Sequence, residues 1–257
     1  MRLTVLGGAA AGGNPGQGCS GYLVQANGTS VVLDLGPATL PHLRLHADVL
    51  ALDAIVISHT HLDHVLDLLA LRYSLAYNPR QTDRRLPLWL PPGGLAFMAR
   101  LADALADDGE AESYFAVYDA AEYDPAAELQ IGQITVRFAP TVHYVPCWAM
   151  RVSSDQSGRD LVYTADTGPA AELSSFAVGA TVLLAEAGAS GPISEPRESR
   201  GHLTASEAAA LAAAAMVERL VLTHLWAEDD PSLAVRRASE RFPGSVVAAT
   251  AGMIVEW

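Results

Sequence analysis

Short apolar runs alternate along the chain with amphipathic stretches, and turn residues separate them. Runs of strand length and strand-type composition fall at 2–7, 21–26, 30–35, 53–58, 86–91, 114–119, 130–138, 147–153, 160–165, 181–186, 219–224 and 246–255. Apolar spacings of three and four predict helices over 62–77, 93–106, 169–178, 204–217 and 230–241. Strands come first as a cluster, alternate with helices, and cluster again before the last helices. Two similar α/β halves fit that order better than one doubly wound sheet, so the predicted architecture is a four-layer αβ/βα sandwich. No Pro/Gly/Ser linker or low-complexity tract interrupts the 257 residues, which predicts one domain over 1–257. The acidic stretch 103–112 (DALADDGEAE) reads as a solvated loop leaving a helix, with a mobile lid near a site as the sharper alternative.

Composition narrows the classes of function. The Ala-rich stretch 203–220 is broken by Glu207, Glu218 and Arg219, and the start MRLTVLGG lacks the apolar run of a signal peptide, so a cytoplasmic protein is expected. Cys19 and Cys147 are too few for a disulfide framework and too far apart in sequence for a thiolate cluster; two small buried residues are expected. A formal charge of −13 disfavours long nucleic acids, whose binding relies on cations that displace counterions. All sixteen cationic residues are Arg, which excludes a Schiff-base or P-loop lysine.

The segment D-A-I-V-I-S-H-T-H-L-D-H places His59, His61, Asp63 and His64 directly after a buried strand. Neutral imidazoles and a carboxylate suit zinc or a similar divalent ion, and the spacing lets His59 and His61 converge on one ion while Asp63 and His64 turn to another. His143 follows the strand at 130–138, Asp166 ends Y-T-A-D and His224 ends V-L-T-H. Ligands in α/β proteins collect at the carboxyl ends of strands, and that shared placement groups these three with the first four. His42 and His46, four apart on one helix face, read as surface or packing residues.

The order H-x-H-x-D-H at 59–64, then His143, Asp166 and His224, resembles the metallo-β-lactamase superfamily across essentially the whole chain. The resemblance implies a dinuclear site at one edge of the sandwich. His59, His61 and His143 would hold one ion, Asp63, His64 and His224 the other, and Asp166 would bridge. Zinc is the expected metal, with manganese as the other candidate.

A second motif bears on the reaction. In G-H-L-T-A-S-E-A, residues 201–208, Thr204 and Glu207 have the spacing of a capping box, which starts a helix just after His202. His202 would stand near the positive helix end, a natural place for phosphate, and Glu186 at the end of T-V-L-L-A-E is its expected partner. The pair resembles the HEAT and HST elements of ribonuclease Z-like phosphodiesterases, with A-E-A-G at 185–188 and H-L-T at 202–204. L-T-V-L-G, S-G-Y-L-V, D-H-V-L-D-L, Y-T-A-D-T-G and L-T-H are also similar to atypical class II cyclic-nucleotide phosphodiesterases.

The expected activity is hydrolysis of a small phosphodiester such as a cyclic nucleotide by a hydroxide held between two metals. Asp63 would assist deprotonation, and His202 would protonate the leaving oxygen. The alternatives are a tRNA 3′-end endonuclease, a lactonase or thioesterase, and a metal-binding protein without turnover. The expected partner is a small anionic ester, with no membrane; a homodimer is compatible.

Overall fold

The computed structural model describes residues 1–80, 83–154, 159–190 and 193–257. Its strands form two sheets of seven. The first contains β1 (Arg2–Gly7), β2 (Gly21–Ala26), β3 (Thr29–Leu35), β4 (Ala54–Val56), β5 (Leu86–Leu90) and β6 (Tyr118–Glu122); β14 (Ile254–Glu256) pairs antiparallel with β1 at its edge. The second contains β7 (Leu129–Ile131), β8 (Ile134–Pro140), β9 (Trp148–Ser154), β10 (Leu161–Tyr163), β11 (Val182–Glu186), β12 (Arg219–Thr223) and β13 (Ser245–Ala248) in that spatial order.

Strands buried on both faces read as continuous apolar runs, and the period of two splits each run between two cores. Val31, Leu33, Ala54 and Val56 meet Val182, Leu184 and Val221 between the sheets. Val32, Leu35, Ile55 and Ile57 turn the other way, toward α1 (Leu40–His46), α3 (Asp67–Ala76) and α4 (Gly94–Leu105). Leu183, Ala185, Leu220 and Leu222 pack under α5 (Leu173–Ala177), α6 (Ala205–Ala214) and α7 (Pro231–Ser239). The result is the four-layer αβ/βα sandwich expected from the element order. Among the described residues no helix is long and apolar enough to cross a membrane.

The helix expected over 169–178 is confined to Leu173–Ala177, and four further elements differ from those expected. The strand expected at 114–119 forms at Tyr118–Glu122, because Tyr114 and Phe115 sit in a turn where Tyr114 packs against Arg72. The strand expected over 130–138 is a hairpin, β7 and β8, turning at Gly132. The strand expected over 246–255 divides at a turn into β13 and β14, which belong to different sheets. The helix expected over 62–77 is interrupted at Leu66, leaving α2 (Leu62–Val65) ahead of α3. The exposed end of the 103–112 segment leads through a 3-10 turn at Ala111–Ser113 to Tyr114, whose backbone carbonyl accepts from Arg72 on α3.

β3 runs parallel to β4, and β10, β11 and β12 run parallel to one another, so each set presents its carboxyl ends on one side. Close backbone approach ties segments to those ends. An acid-x-Gly pattern closes β3 as Asp34-Leu35-Gly36 and follows β10 as Asp166-Thr167-Gly168. A Cβ on Gly36 would strike the carbonyl of Asp63, and one on Gly168 the carbonyl of Arg200. Only glycine admits these neighbours.

Candidate metal centre

The strand ends bring seven ligand-type side chains together in two overlapping groups. His59, His61, His143 and Asp166 form one; Asp63, His64, Asp166 and His224 form the other. Within each group, one donor atom per residue lies within 4.8 Å of the others. Asp166 belongs to both. Its Oδ2 lies 3.7 Å from His59 Nε2, 3.6 Å from His143 Nε2 and 3.5 Å from His224 Nε2, and its Oδ1 lies 3.4 Å from His64 Nε2. His42 and His46 lie on α1 and belong to neither group.

The hydrogen bonds around the cluster decide which nitrogens face inward. Asp34, on β3, accepts from the Ser58 amide at 2.7 Å, the Ser58 hydroxyl at 2.8 Å, the Tyr163 hydroxyl at 2.8 Å and His64 Nδ1–H at 2.8 Å. Because the Ser58 hydroxyl donates to Asp34, it accepts from His59 Nδ1–H at 3.0 Å. One carboxylate thus fixes two imidazoles as Nδ1–H tautomers, leaving the Nε2 lone pairs toward the cluster. His143 Nδ1–H donates to the Gly201 carbonyl at 2.9 Å, so its Nε2 also faces inward, 3.0 Å from His61 Nδ1.

Buried nitrogens and oxygens ordinarily find partners. Among the described residues eight buried side-chain nitrogens and oxygens lack a hydrogen-bond partner, and four of them, His59 Nε2, His64 Nε2, Asp166 Oδ1 and His224 Nδ1, belong to this cluster. Imidazole nitrogens and carboxylate oxygens converging on a common space are the donor set of a divalent transition ion, so the residues fit two such ions.

The protonation of three of the histidines agrees with a ligand role; at His64 burial lowers the pKa, but the carboxylates of Asp166 and Asp34 outweigh it and raise it well above the ordinary value. Burial, reinforced by the neighbouring imidazole of His64, holds His59 well below its ordinary pKa. Burial likewise pushes His143 down to about 4 and lowers His61, leaving neutral imidazoles. Burial pushes the Asp63 carboxyl up, but the hydrogen bond from His224 and the pull of the adjacent His64 imidazole outweigh it and lower its pKa. Three residues bordering the cluster, Asp34, Ala165 and His224, have left-handed backbone with φ of 55°, 50° and 57°. Such conformations persist where the surrounding structure overdetermines them, and they concentrate at functional sites.

His202 stands beside the cluster. Its ring stacks on His224 at 5.3 Å between centroids and meets His143 edge-on at 5.0 Å. His202 Nδ1–H donates to Glu186 Oε1 at 3.0 Å, which leaves Nε2 free. Burial alone would lower its pKa, but the hydrogen bond and charge of Glu186, with Asp166 and Asp63 beyond, raise it to about 9. Glu186 is itself fully buried and accepts from the amides of Thr167 at 3.0 Å and Gly188 at 2.7 Å.

The capping box of α6 is present, with Thr204 and Glu207 bonded reciprocally. Glu207 therefore already supplies an anion at this helix start, and phosphate recognition there depends less on the helix end than the sequence implied. Two residues escaped the sequence reading. Asp34 was hidden in the run V-V-L-D-L, where a lone acid in an otherwise apolar strand was the available signal. Arg200, 7% exposed, donates through Nε to the His202 carbonyl at 3.0 Å and through a terminal nitrogen to Glu207, fixing the His202 backbone against α6.

Comparison with known proteins agrees with this geometry. Residues 26–225 match the family described as the beta-lactamase superfamily domain. The protein ML1173 of Mycobacterium leprae is 31% identical, over 98% of this chain and 87% of that one. The probable metallo-hydrolase YhfI of Bacillus subtilis is 30% identical over the full length of both chains. Its crystal structure superposes with a TM-score of 0.85 at 26% identity, covering 100% of this chain and 99% of that one. A ribonuclease Z of Bradyrhizobium diazoefficiens is 28% identical over 98% of this chain and 99% of its own. A diphosphatase of the PhnP family shares the fold, with a TM-score of 0.78 at 19% identity and coverage of 100% and 98%. The chain belongs to the metallo-β-lactamase superfamily, in the metallo-hydrolase group that includes YhfI.

Proposed function

We propose that the chain hydrolyses a small phosphodiester, such as a cyclic nucleotide, with two divalent ions, zinc in the first instance, held by the seven ligands as the family resemblance assigns them. The observation that carries this reading is His202, an imidazole outside both ligand groups whose Nδ1–H is held by the buried carboxylate of Glu186, which raises its pKa, and which lies against residues of each group. Bound ions supply Lewis-acid charge and acidify water, chemistry that serves several ester classes. The distinguishing requirement of an alkyl phosphodiester is a proton for a poor leaving group. His202 Nε2–H donates it to the departing oxygen. Asp63 accepts a proton from the attacking water, and Glu186 keeps the His202 ring oriented between turnovers. The cationic imidazole also favours a phosphoryl group over a neutral lactone. The ribonuclease Z relatives add support for phosphodiester chemistry, while the charge of −13 and the absence of lysine weigh against a long RNA substrate.

The test is parallel turnover of cyclic AMP, a bis-p-nitrophenyl diester, a lactone and a precursor tRNA by zinc- and manganese-loaded protein. Small diesters should show the highest kcat/KM. A lactone turned over faster by a wide margin would overturn the phosphodiesterase reading and leave the fold assignment intact.

A further inference from the structure

Beside His202 the surface opens into a cleft of about 220 Å³ lined by Tyr144, Gly188, Glu195, His202 and Trp226, among others. That is smaller than the roughly 300–1,000 Å³ of pockets that enclose a whole drug-sized ligand. The cleft suits one substituent of a substrate whose reacting centre lies elsewhere. His202 lines the cleft and packs against His143 and His224 of the ligand cluster, so a molecule reacting at the cluster can extend past it into the cleft.

Two aromatic side chains line the cleft, and both sit next to proposed ligands in sequence. Tyr144 follows His143, and Trp226 lies two residues beyond His224. Both are partly open to solvent, Tyr144 54% and Trp226 38% exposed. They are nonetheless fixed. The Trp226 indole N–H donates to the Gly188 carbonyl at 3.0 Å, and the Tyr144 hydroxyl donates to Glu195 Oε2 at 2.7 Å. An immobilised, exposed aromatic ring offers a stacking surface without the entropy cost of ordering it on binding. The Tyr144 bond also aims the Glu195 carboxylate, whose Oε1 has no hydrogen-bond partner among the described residues. A carboxylate accepts hydrogen bonds only, so the complementary group carries N–H donors and no negative charge of its own.

We infer that this cleft is a subsite for a planar nucleobase bearing an exocyclic amine, stacked on Trp226 and Tyr144 with its N–H edge toward Glu195. The inference rests on the phosphodiesterase reading and makes it more specific. It places the base on the side of His202, which is the leaving-group side. In a 3′,5′-cyclic nucleotide opened at the 3′ oxygen, the ribose that carries the base also carries the departing oxygen, so the two assignments agree.

The test pairs binding with kinetics on the full chain. Ligand-detected NMR titrations would compare adenosine with purine riboside, whose base carries neither the amine nor a ring N–H, on wild type, Trp226→Leu and Glu195→Ala. Adenosine should bind wild type better than purine riboside, Trp226→Leu should weaken it by about 5- to 150-fold, the range for loss of base stacking, and Glu195→Ala should remove the preference. In turnover, Trp226→Leu should raise KM for cyclic AMP with kcat within about two-fold, and leave KM for 1-O-methylribose 3′,5′-cyclic phosphate, which has no base, unchanged. Cyclic AMP turnover without adenosine binding, or with equal binding by Trp226→Leu, would overturn the subsite and spare the activity. Adenosine binding that obeys the mutational pattern without cleavage of any diester would do the reverse.

Discussion

His64 reaches the cluster through Asp34, whose Oδ2 accepts the Nδ1 proton at 2.8 Å; the same carboxylate orients His59 through the hydroxyl of Ser58. The two imidazoles belong to different ligand groups. Asp34 therefore links the two groups from behind, as Asp166 links them from the front.

This arrangement gives the first prediction. Asp34→Asn should weaken binding of both ions by about 10- to 100-fold, the usual effect of losing a group that orients ligating histidines. Titration against a chromophoric chelator measures it directly. Wild-type affinity at both sites would remove Asp34 from the account of the metal centre.

Asp166→Ala should deplete both ions, since this carboxylate lies in both groups. His42→Ala should deplete neither. Elemental analysis of the purified variants distinguishes them, and full occupancy in the Asp166 variant would reject a bridging role.

His202→Ala should retain both ions and slow hydrolysis of an alkyl phosphodiester by about 10²–10⁴, the range for losing a positioned general acid. A p-nitrophenyl leaving group needs little protonation, so its rate should fall less. Equal losses on both substrates would assign His202 to phosphate binding instead of proton donation.

Glu186→Gln should act on rate and on stability together. The neutral amide weakens the hold on the His202 proton, so the alkaline limb of the pH–rate profile should move to lower pH on substrates with poor leaving groups. Glu186 also accepts two buried backbone amides beside Asp166, and disturbing them should cost about 1–3 kcal/mol, seen as a lower Tm. An unmoved alkaline limb would detach Glu186 from the protonation of His202.

The ligand-type residues were visible in sequence because several chemically similar side chains follow buried strands at short spacing, a coincidence that packing alone does not produce. Their partners were not. Asp34 and Arg200 earn their places through tertiary contacts with Ser58, Tyr163 and Glu207, and no local spacing encodes those. The sandwich was predictable from the order of elements, whereas the last strands were not separable: 246–255 is one β-prone stretch whose two halves pair with strands of different sheets. The displaced β6 has the same origin, since Ala120 and Ala121 have weak strand preference and take that conformation through their parallel pairing with Leu88 and Trp89.

Gly36 and Gly168 carry no functional group, yet each lies where any side chain would push away the backbone of Asp63 or Arg200. In a library of variants scored by turnover alone, both positions would be as intolerant as His59 or His202. A sensitivity map built that way would draw the catalytic region larger than the set of atoms that reach substrate. Metal content would sort the positions: the Gly36 substitutions, acting through Asp63, should perturb loading, while those at Gly168, acting through the segment that carries His202, should leave the ions in place and misdirect the proton.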